Sequence, residues 1–392
     1  MNIAHNKNLL KPSVLRVLVV DDTVVYRKAI SDILSEIPNV EVIGSAPNGK
    51  IAISKILSLS PDLITLDIEM PEMNGLEVLQ WMSNETPDIG AIVLSTFTTT
   101  GGDMTMKALE LGAFDFIPKP QSGNLTENIS KLKNSLSIIL TAYIRSTEIR
   151  KILRKSPAPD KFNRNFVRNV PESRPRIYKA VSSKIKSIKS DIIAIGISTG
   201  GPKALAEMIP KIPADIGVPI LIVQHMPPIF TNSLATSLDS KSEIKVKEAD
   251  DCETIFPNTV YIAPGGKQMK VAAESNSLKK IIRITDDPPE NSCKPSADYL
   301  FRSVAQVYGE KSIGVIMTGM GYDGNLGLQI MKDNGATIIA QDQQTCVVYG
   351  MPKGPIENGI TDLIVPLDKM AMEICRTVKP SFQNMRNKSS RL

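Results

Sequence analysis

Two stretches of the chain alternate short apolar runs with segments of helical period, and a stretch showing neither pattern lies between them. The first run, Val14 to Val20, is rich in Val and Leu and ends at Asp21-Asp22. A run apolar at every position, followed by the amphipathic Val25 to Ile37, predicts a strand buried on both faces and its crossover helix. The same rhythm predicts strands over Val40 to Ser45, Asp62 to Leu66, Ala91 to Leu94 and Phe114 to Ile117. Helices are expected over Gly49 to Leu59, Gly75 to Met82, Asp103 to Leu111 and Leu125 to about Ile144. A second series begins at Asp191, with strands at Ile192 to Ile197, Pro219 to Gln224, Thr259 to Ala263, Ile281 to Thr285, Ser312 to Met317 and Thr337 to Ala340. Its helices are expected at Lys203 to Ile209, Ser296 to Val307 and Gly324 to Asp333. Alternation of this kind predicts two doubly wound α/β domains, each carrying its site at the carboxyl ends of parallel strands.

Between the two series periodicity fades, and Pro, Ser and basic residues accumulate, which reads as a linker. The expected division is a tail over 1–13, a first domain over 14–144, a basic linker over 145–190, a larger second domain over 191–378 and a tail over 379–392. The net charge of +5 owes much to the linker, so it argues against a nucleic-acid-binding face. Four cysteines occur singly, which offers neither a zinc signature nor a disulfide framework and suits a reducing compartment. No run approaches the roughly 20 apolar residues of a membrane span, and the amino-terminal residues do not resemble a signal peptide. The expectation is a cytoplasmic protein without direct membrane insertion.

The strand ends of the first domain collect acidic residues. Asp21, Asp22 and Asp67 fall there, as do Ser95 and Lys119 on two further strands. Three close carboxylates repel one another unless a hard cation lies among them, and oxygen-only ligation suits magnesium. A carboxylate so placed can take a phosphoryl group as nucleophile, while the metal neutralises the incoming charge. Lys119 can pair with that phosphate, and Ser95 can hydrogen-bond it in a rearranged state. An Asp at a strand end is often just a turn former, but the five residues together exceed what turn preference supplies.

VLVVDD, LDIEMPEMNG and FIPKP resemble the receiver domain of two-component response regulators. The resemblance implies a flavodoxin-like, five-stranded parallel sheet and a histidine kinase as phosphodonor. It implies Asp67 as phosphoacceptor, Asp21 and Asp22 as acidic metal-site residues, and the backbone carbonyl of Glu69 as a further magnesium ligand. Phe116 stands where the family usually has a switch aromatic.

In the second domain, Gly196-Ile197-Ser198-Thr199-Gly200-Gly201 follows an apolar strand and precedes a helix opening at Pro202. A serine on such a turn presents its hydroxyl, and glycine neighbours admit a substrate carbonyl. The same loop could hold a phosphate, although it lacks the G-x-G-x-x-G and G-K-[ST] patterns. His225 follows the strand ending at Gln224 and, with His5 in the tail, is the one ordinary general base expected in the folded region. Asp323 lies in the Gly-rich loop Thr318 to Gly324 and can orient that base, or act as a turn or cap residue. Ser198 satisfies G-x-S-x-G, but the order Ser198, His225, Asp323 is not that of the α/β-hydrolase fold, where the acid precedes the histidine.

GISTGGP, VQHMPPIFTNSLATSLD, YIAPGGKQM, KPSADYLFRSVA, GVIMTGMGYDG and QDQQTCVVYGMPKG resemble, in sequence and order, the catalytic domain of the CheB methylesterase family. The resemblance implies a Rossmann-like doubly wound domain that needs no cofactor, with Ser198 as nucleophile, His225 as base and Asp323 as its orienting acid. The backbone amide of Met320 would be an oxyanion donor. The implied substrates are glutamyl methyl esters, and certain glutamines, on the cytoplasmic helices of methyl-accepting chemoreceptors. Phosphate on Asp67 would then regulate the esterase. Cys293 stands near a position where the family usually has histidine, and Lys294 stands where Arg is common. A receiver joined to a DNA-binding output is the rival reading, but a helix-turn-helix output would be short and helical rather than long and strand-rich.

Overall fold

A computed structural model describes residues 14–120, 125–155, 190–274 and 279–378. Both expected tails and residues 156–189 of the expected linker lie outside the described residues. The chain divides into two compact units on either side of Ile144 and Arg145.

The first unit begins with β1 (Leu15–Val20), α1 (Val24–Ser35), β2 (Val40–Ala46), α2 (Gly49–Leu59) and β3 (Leu63–Asp67). It continues with α3 (Gly75–Glu85), β4 (Gly90–Ser95), α4 (Thr99–Glu110), β5 (Asp115–Pro118) and α5 (Leu125–Lys155). Its five-stranded parallel sheet has the order β2-β1-β3-β4-β5. That is the flavodoxin-like order, whose switch point falls between β1 and β3. Leu132, Leu136, Ile139, Leu140 and Tyr143 recur at helical spacing on α5 and pack with α1 and the sheet in one core. The helix α5 runs past the expected boundary at Ile144 to Lys155, so the division into units falls within it. The helix α4 starts four residues ahead of the expected Asp103, because the Thr98 hydroxyl caps it by accepting the Gly101 amide at 2.9 Å. Gly101 and Gly102, ahead of the expected start, therefore lie inside the first turns.

The second unit opens with β6 (Ile192–Ile197), α6 (Gly201–Met208), β7 (Ile220–Gln224), α7 (Phe230–Asp239), β8 (Lys245–Glu248) and β9 (Thr259–Ile262). Next come the hairpin strands β10 (Gln268–Ala273) and β11 (Lys280–Thr285), then α8 (Ala297–Tyr308) and β12 (Ser312–Ile316). The unit closes with α9 (Asn325–Asp333), β13 (Thr337–Gln341), α10 (Lys353–Glu357), β14 (Leu363–Val365) and α11 (Leu367–Val378). Seven parallel strands take the order β14-β13-β12-β6-β7-β9-β8. The winding reverses at β6, so the loops after β6, β7 and β12 meet over the switch point. The sequence places a strand at Ile281 to Thr285 in the same series, but β11 pairs antiparallel with β10 outside the main sheet. Its pattern explains this. Only Ile282 of the six residues is fully buried, as befits a hairpin with one wet face rather than a central parallel strand.

The core of the second unit joins the sheet to α8, α9 and the hairpin. Phe301 of α8 is wholly buried in it. A side chain on Gly327 would put its Cβ 2.6 Å from the Cβ of Phe301, so the two helices touch almost backbone to backbone. Both helices start beside the loop carrying Asp323. Truncation by Phe301→Ala should therefore lower stability by about 3–5 kcal/mol in denaturant unfolding followed by circular dichroism. A loss below about 1 kcal/mol would contradict this packing.

Candidate functional site

The acidic residues of the first unit come together as their strands dictate. Asp21 follows β1, Asp67 ends β3, and ligand atoms of Asp21, Asp22 and Asp67 lie within 4.8 Å of one another. Asp21 and Asp67 are buried, while Asp22 faces solvent. Lys119, just after β5, places its ammonium 2.8 Å from Asp21 Oδ2 and 2.6 Å from Asp67 Oδ2. Burial pushes the Asp67 carboxyl up to about 6, against the pull of Lys119 and of the hydrogen bond from the Glu69 amide. For Lys119, burial opposes the charge, but the pairing with Asp67 and Asp21 prevails and raises its pKa. This oxygen-only, net-negative cluster fits a hard divalent cation, with one carboxylate left to react.

Ser95 faces elsewhere. Its hydroxyl donates to the Gly101 carbonyl at 3.0 Å and accepts from Thr105 at 2.6 Å, both on α4. Phe116 is buried on β5. The lysine ammonium also sits 4.8 Å from the centre of the Tyr26 ring, whose hydroxyl donates to the Pro120 carbonyl at 3.1 Å. Tyr26 is a site residue that the sequence pattern did not single out.

In the second unit, β6 and β7 pair with Ile197 opposite Gln224, so Ser198 and His225 leave the sheet at the same level. The Gln224 amide donates to the carbonyls of Ser198 at 3.1 Å and His225 at 3.3 Å, tying the two turns together. The Ser198 amide donates to the Thr318 carbonyl at 3.0 Å, which links the serine turn to the loop after β12. Gly319 on that loop has no room for a side chain, since its Cβ would stand 2.8 Å from the Cβ of Ser198. The helix α6 begins just beyond the serine, with Pro202 in its first turn.

Asp323 reaches His225 from that same loop. Its Oδ2 lies 2.8 Å from His225 Nε2, and the acid is 2 % exposed. Four other donors converge on the carboxylate. They are the Ser296 hydroxyl at 2.7 Å, the Ala297 amide at 2.7 Å, the Asp298 amide at 3.2 Å and the Asn291 side chain at 3.0 Å. Ser296 caps α8 and the two amides belong to its first turn, so the acid sits at the positive end of a helix. Burial works against the charge on Asp323, but the histidine and these donors win and hold it at about 2. Burial likewise opposes the imidazolium, but the Asp323 bond, followed by the contact with Cys293, raises His225 to about 9.

The arrangement repeats in reverse on the neighbouring helix. Asp298 of α8 accepts the Gly327 amide in the first turn of α9 at 2.6 Å. The two amide hydrogens of Asn291 are shared between Asp298 at 2.8 Å and Asp323 at 3.0 Å. Burial raises the Asp298 pKa despite these donors.

With Nε2 committed to Asp323, the other ring nitrogen, Nδ1, is the one available for proton transfer. It faces Cys293, whose Sγ lies 3.7 Å away. The sequence brings Ser198, His225 and Asp323 into view; Asn291, Ser296 and the contact of Cys293 with His225 emerge only in three dimensions. A serine just ahead of the helical pattern of α8, where a cap is expected, is the one local signal for Ser296.

Comparison with known proteins agrees with both halves. A family model described as CheB methylesterase matches residues 193–374, and one described as response regulator receiver domain matches residues 17–153. A protein-glutamate methylesterase/protein-glutamine glutaminase of Desulfotalea psychrophila is 54% identical over 366 residues, covering 93% of this chain and 99% of its own. The correspondingly named protein of Clostridium acetobutylicum is 42% identical over 366 residues, covering 93% of this chain and 98% of its own. The crystal structure of the Thermotoga maritima CheB methylesterase catalytic domain aligns with 48% of this chain and 99% of its own, at 43% identity and a TM-score of 0.46. The chain is thus a response-regulator receiver joined to an α/β esterase domain, and it belongs to the family of CheB protein-glutamate methylesterases/protein-glutamine glutaminases.

Proposed function

We propose that the chain hydrolyses glutamyl methyl esters on the cytoplasmic helices of chemoreceptors, and deamidates glutamines there, under control of phosphate on Asp67. The observation that carries the esterase half is the 2.8 Å bond between Asp323 and His225 Nε2, level with the serine turn. It leaves Nδ1 as the base. Ser198 Oγ attacks the ester carbonyl while Nδ1 takes the hydroxyl proton. A backbone amide of the Thr318–Gly324 loop, that of Met320, supports the developing oxyanion. The tetrahedral intermediate collapses as the imidazolium returns the proton to the departing methoxide, releasing methanol. Water, deprotonated by Nδ1, then cleaves the glutamyl-serine ester to leave a free glutamate and restore Ser198. With a glutamine substrate the same steps release ammonia.

Asp323 keeps the N–H on Nε2 and balances the imidazolium charge. In the receiver, Asp21, Asp22, Asp67 and the Glu69 carbonyl would hold magnesium, which neutralises charge as a phosphoryl group moves from a histidine kinase to Asp67. Lys119, already paired with Asp67, is placed to take the phosphate's charge instead, and Ser95 to leave α4 and hydrogen-bond it. Among the described residues no helix is long and apolar enough to cross a membrane. We place the functional division at 14–144 and 191–378, with 145–190 as the connection; the proposal assigns no nucleic-acid partner and a cytoplasmic location.

Methanol release from methylated receptor membranes tests this reading. Ser198→Ala should abolish it, and equal rates in the two proteins would exclude the mechanism. A small phosphodonor should raise the wild-type rate and leave Asp67→Asn unchanged; a full response in Asp67→Asn would remove the assigned phosphoacceptor. The base works unprotonated, so a raised imidazole pKa moves the active form to higher pH. The ascending limb of kcat/KM should therefore inflect near pH 9. In Asp323→Asn, kcat should fall by about 10⁴-fold and the limb should move toward the ordinary histidine value of about 6.5. An unmoved limb in that variant would contradict the coupling.

A further inference from the structure

Cys293 is held against the base by a built turn. Glu290 and Cys293 exchange two backbone hydrogen bonds, of 3.1 and 2.7 Å, across Asn291 and Ser292. Those two residues have φ of +51° and +61°, the pairing of a type I′ turn. The turn is anchored through its first two residues. Asn291 reaches Asp298 and Asp323, and Arg302 grips Glu290 through both terminal guanidinium nitrogens at 2.8 and 2.5 Å. The thiol is left partly exposed to solvent.

The 3.7 Å between Cys293 Sγ and His225 Nδ1 has a second chemical meaning. A tetrahedral zinc ion bonds thiolate at about 2.3 Å and imidazole nitrogen at about 2.0–2.1 Å, which sets the two donors about 3.6 Å apart. The pair therefore has the required spacing without movement of either side chain. Ligand atoms of His225, Cys293 and Asp323 also lie within 4.8 Å of one another. Asp323 is saturated by its own donors, and it holds the far nitrogen of the imidazole. A carboxylate in that place orients a metal-binding histidine and raises its basicity.

We propose that Cys293 Sγ and His225 Nδ1 form a binding site for a soft divalent cation such as zinc, and that its occupancy switches the esterase off. Binding displaces to solvent the thiol proton and, from a protonated ring, the Nδ1 proton, and places the metal on the nitrogen lone pair that would deprotonate Ser198. Water fills the remaining positions. The inhibitory part rests on the reading of His225 as the base, whereas the binding part does not.

Two measurements on the full chain separate those parts. Cadmium, a spectroscopic substitute for zinc, should give a thiolate-to-metal charge-transfer absorbance in the ultraviolet with wild type. That band should be lost in Cys293→Ser and Cys293→Ala and kept in Cys252→Ser, which removes an exposed thiol elsewhere in the fold. Zinc should inhibit methanol release, reversed by a chelator, with each protein compared with its own metal-free rate. Both Cys293 variants should need at least about tenfold more zinc for half-inhibition, and Cys252→Ser should match wild type. Undiminished cadmium absorbance in both Cys293 variants, or unchanged zinc sensitivity, would overturn the site. A cadmium band that depends on Cys293 while zinc leaves methanol release intact would instead overturn the inhibition and count against His225 Nδ1 as the base.

Discussion

The second unit depends on how one buried carboxylate is satisfied. Asp323 would be unstable as an anion at 2 % exposure without compensation. Five donors supply it: a histidine ring, a helix-capping hydroxyl, two amides of a helix first turn and an asparagine side chain. This concentration of donors keeps the carboxylate ionised, and the ionised carboxylate in turn fixes which imidazole nitrogen carries its proton. The geometry of α8 is part of the same interaction, because its first turn faces inward on the acid. Asp298, on that turn, does the equivalent service for α9. Two helices thus begin against each other's acids, and Phe301 closes the space between them.

Both units use the same device of parallel sheets. Strands buried on each face carry no functional side chains along their length, so chemistry collects where they end. In the receiver, neighbours β1 and β3 bring Asp21 and Asp67 together, and β5 delivers Lys119 as the counter-charge. In the esterase, β6, β7 and β12 present a serine, a histidine and an acid. The receiver cluster is rich in negative charge and calls for a cation; the esterase site spends its negative charge on one imidazole.

The strand series was legible because β1, β3, β6 and β12 are apolar at nearly every position, and the site residues follow these runs directly. Elements with weaker patterns were not. The helix α7 is rich in Ser and Thr and holds by the stripe Phe230, Leu234 and Leu238, while β8 is a four-residue strand at the sheet edge. The hairpin strand β11 imitates a core strand in composition but carries Lys280 and Arg283 and fully buries only Ile282. Asn291, Ser296 and the contact of Cys293 with His225 stayed hidden for another reason. These residues lie 27 to 32 residues before Asp323 or 68 residues after His225, and only the packing of α8 against the sheet brings them in.

The central claim is that Asp323 holds the proton on Nε2 of His225 and leaves Nδ1 as the base. Nitrogen NMR of histidine-labelled protein tests it directly, because the chain has two histidines and His5→Gln leaves His225 alone. Above pH 9, where the ring becomes neutral, the account predicts a proton on Nε2 and a bare Nδ1 whose shift follows the titration. A neutral ring with its proton on Nδ1 would contradict it.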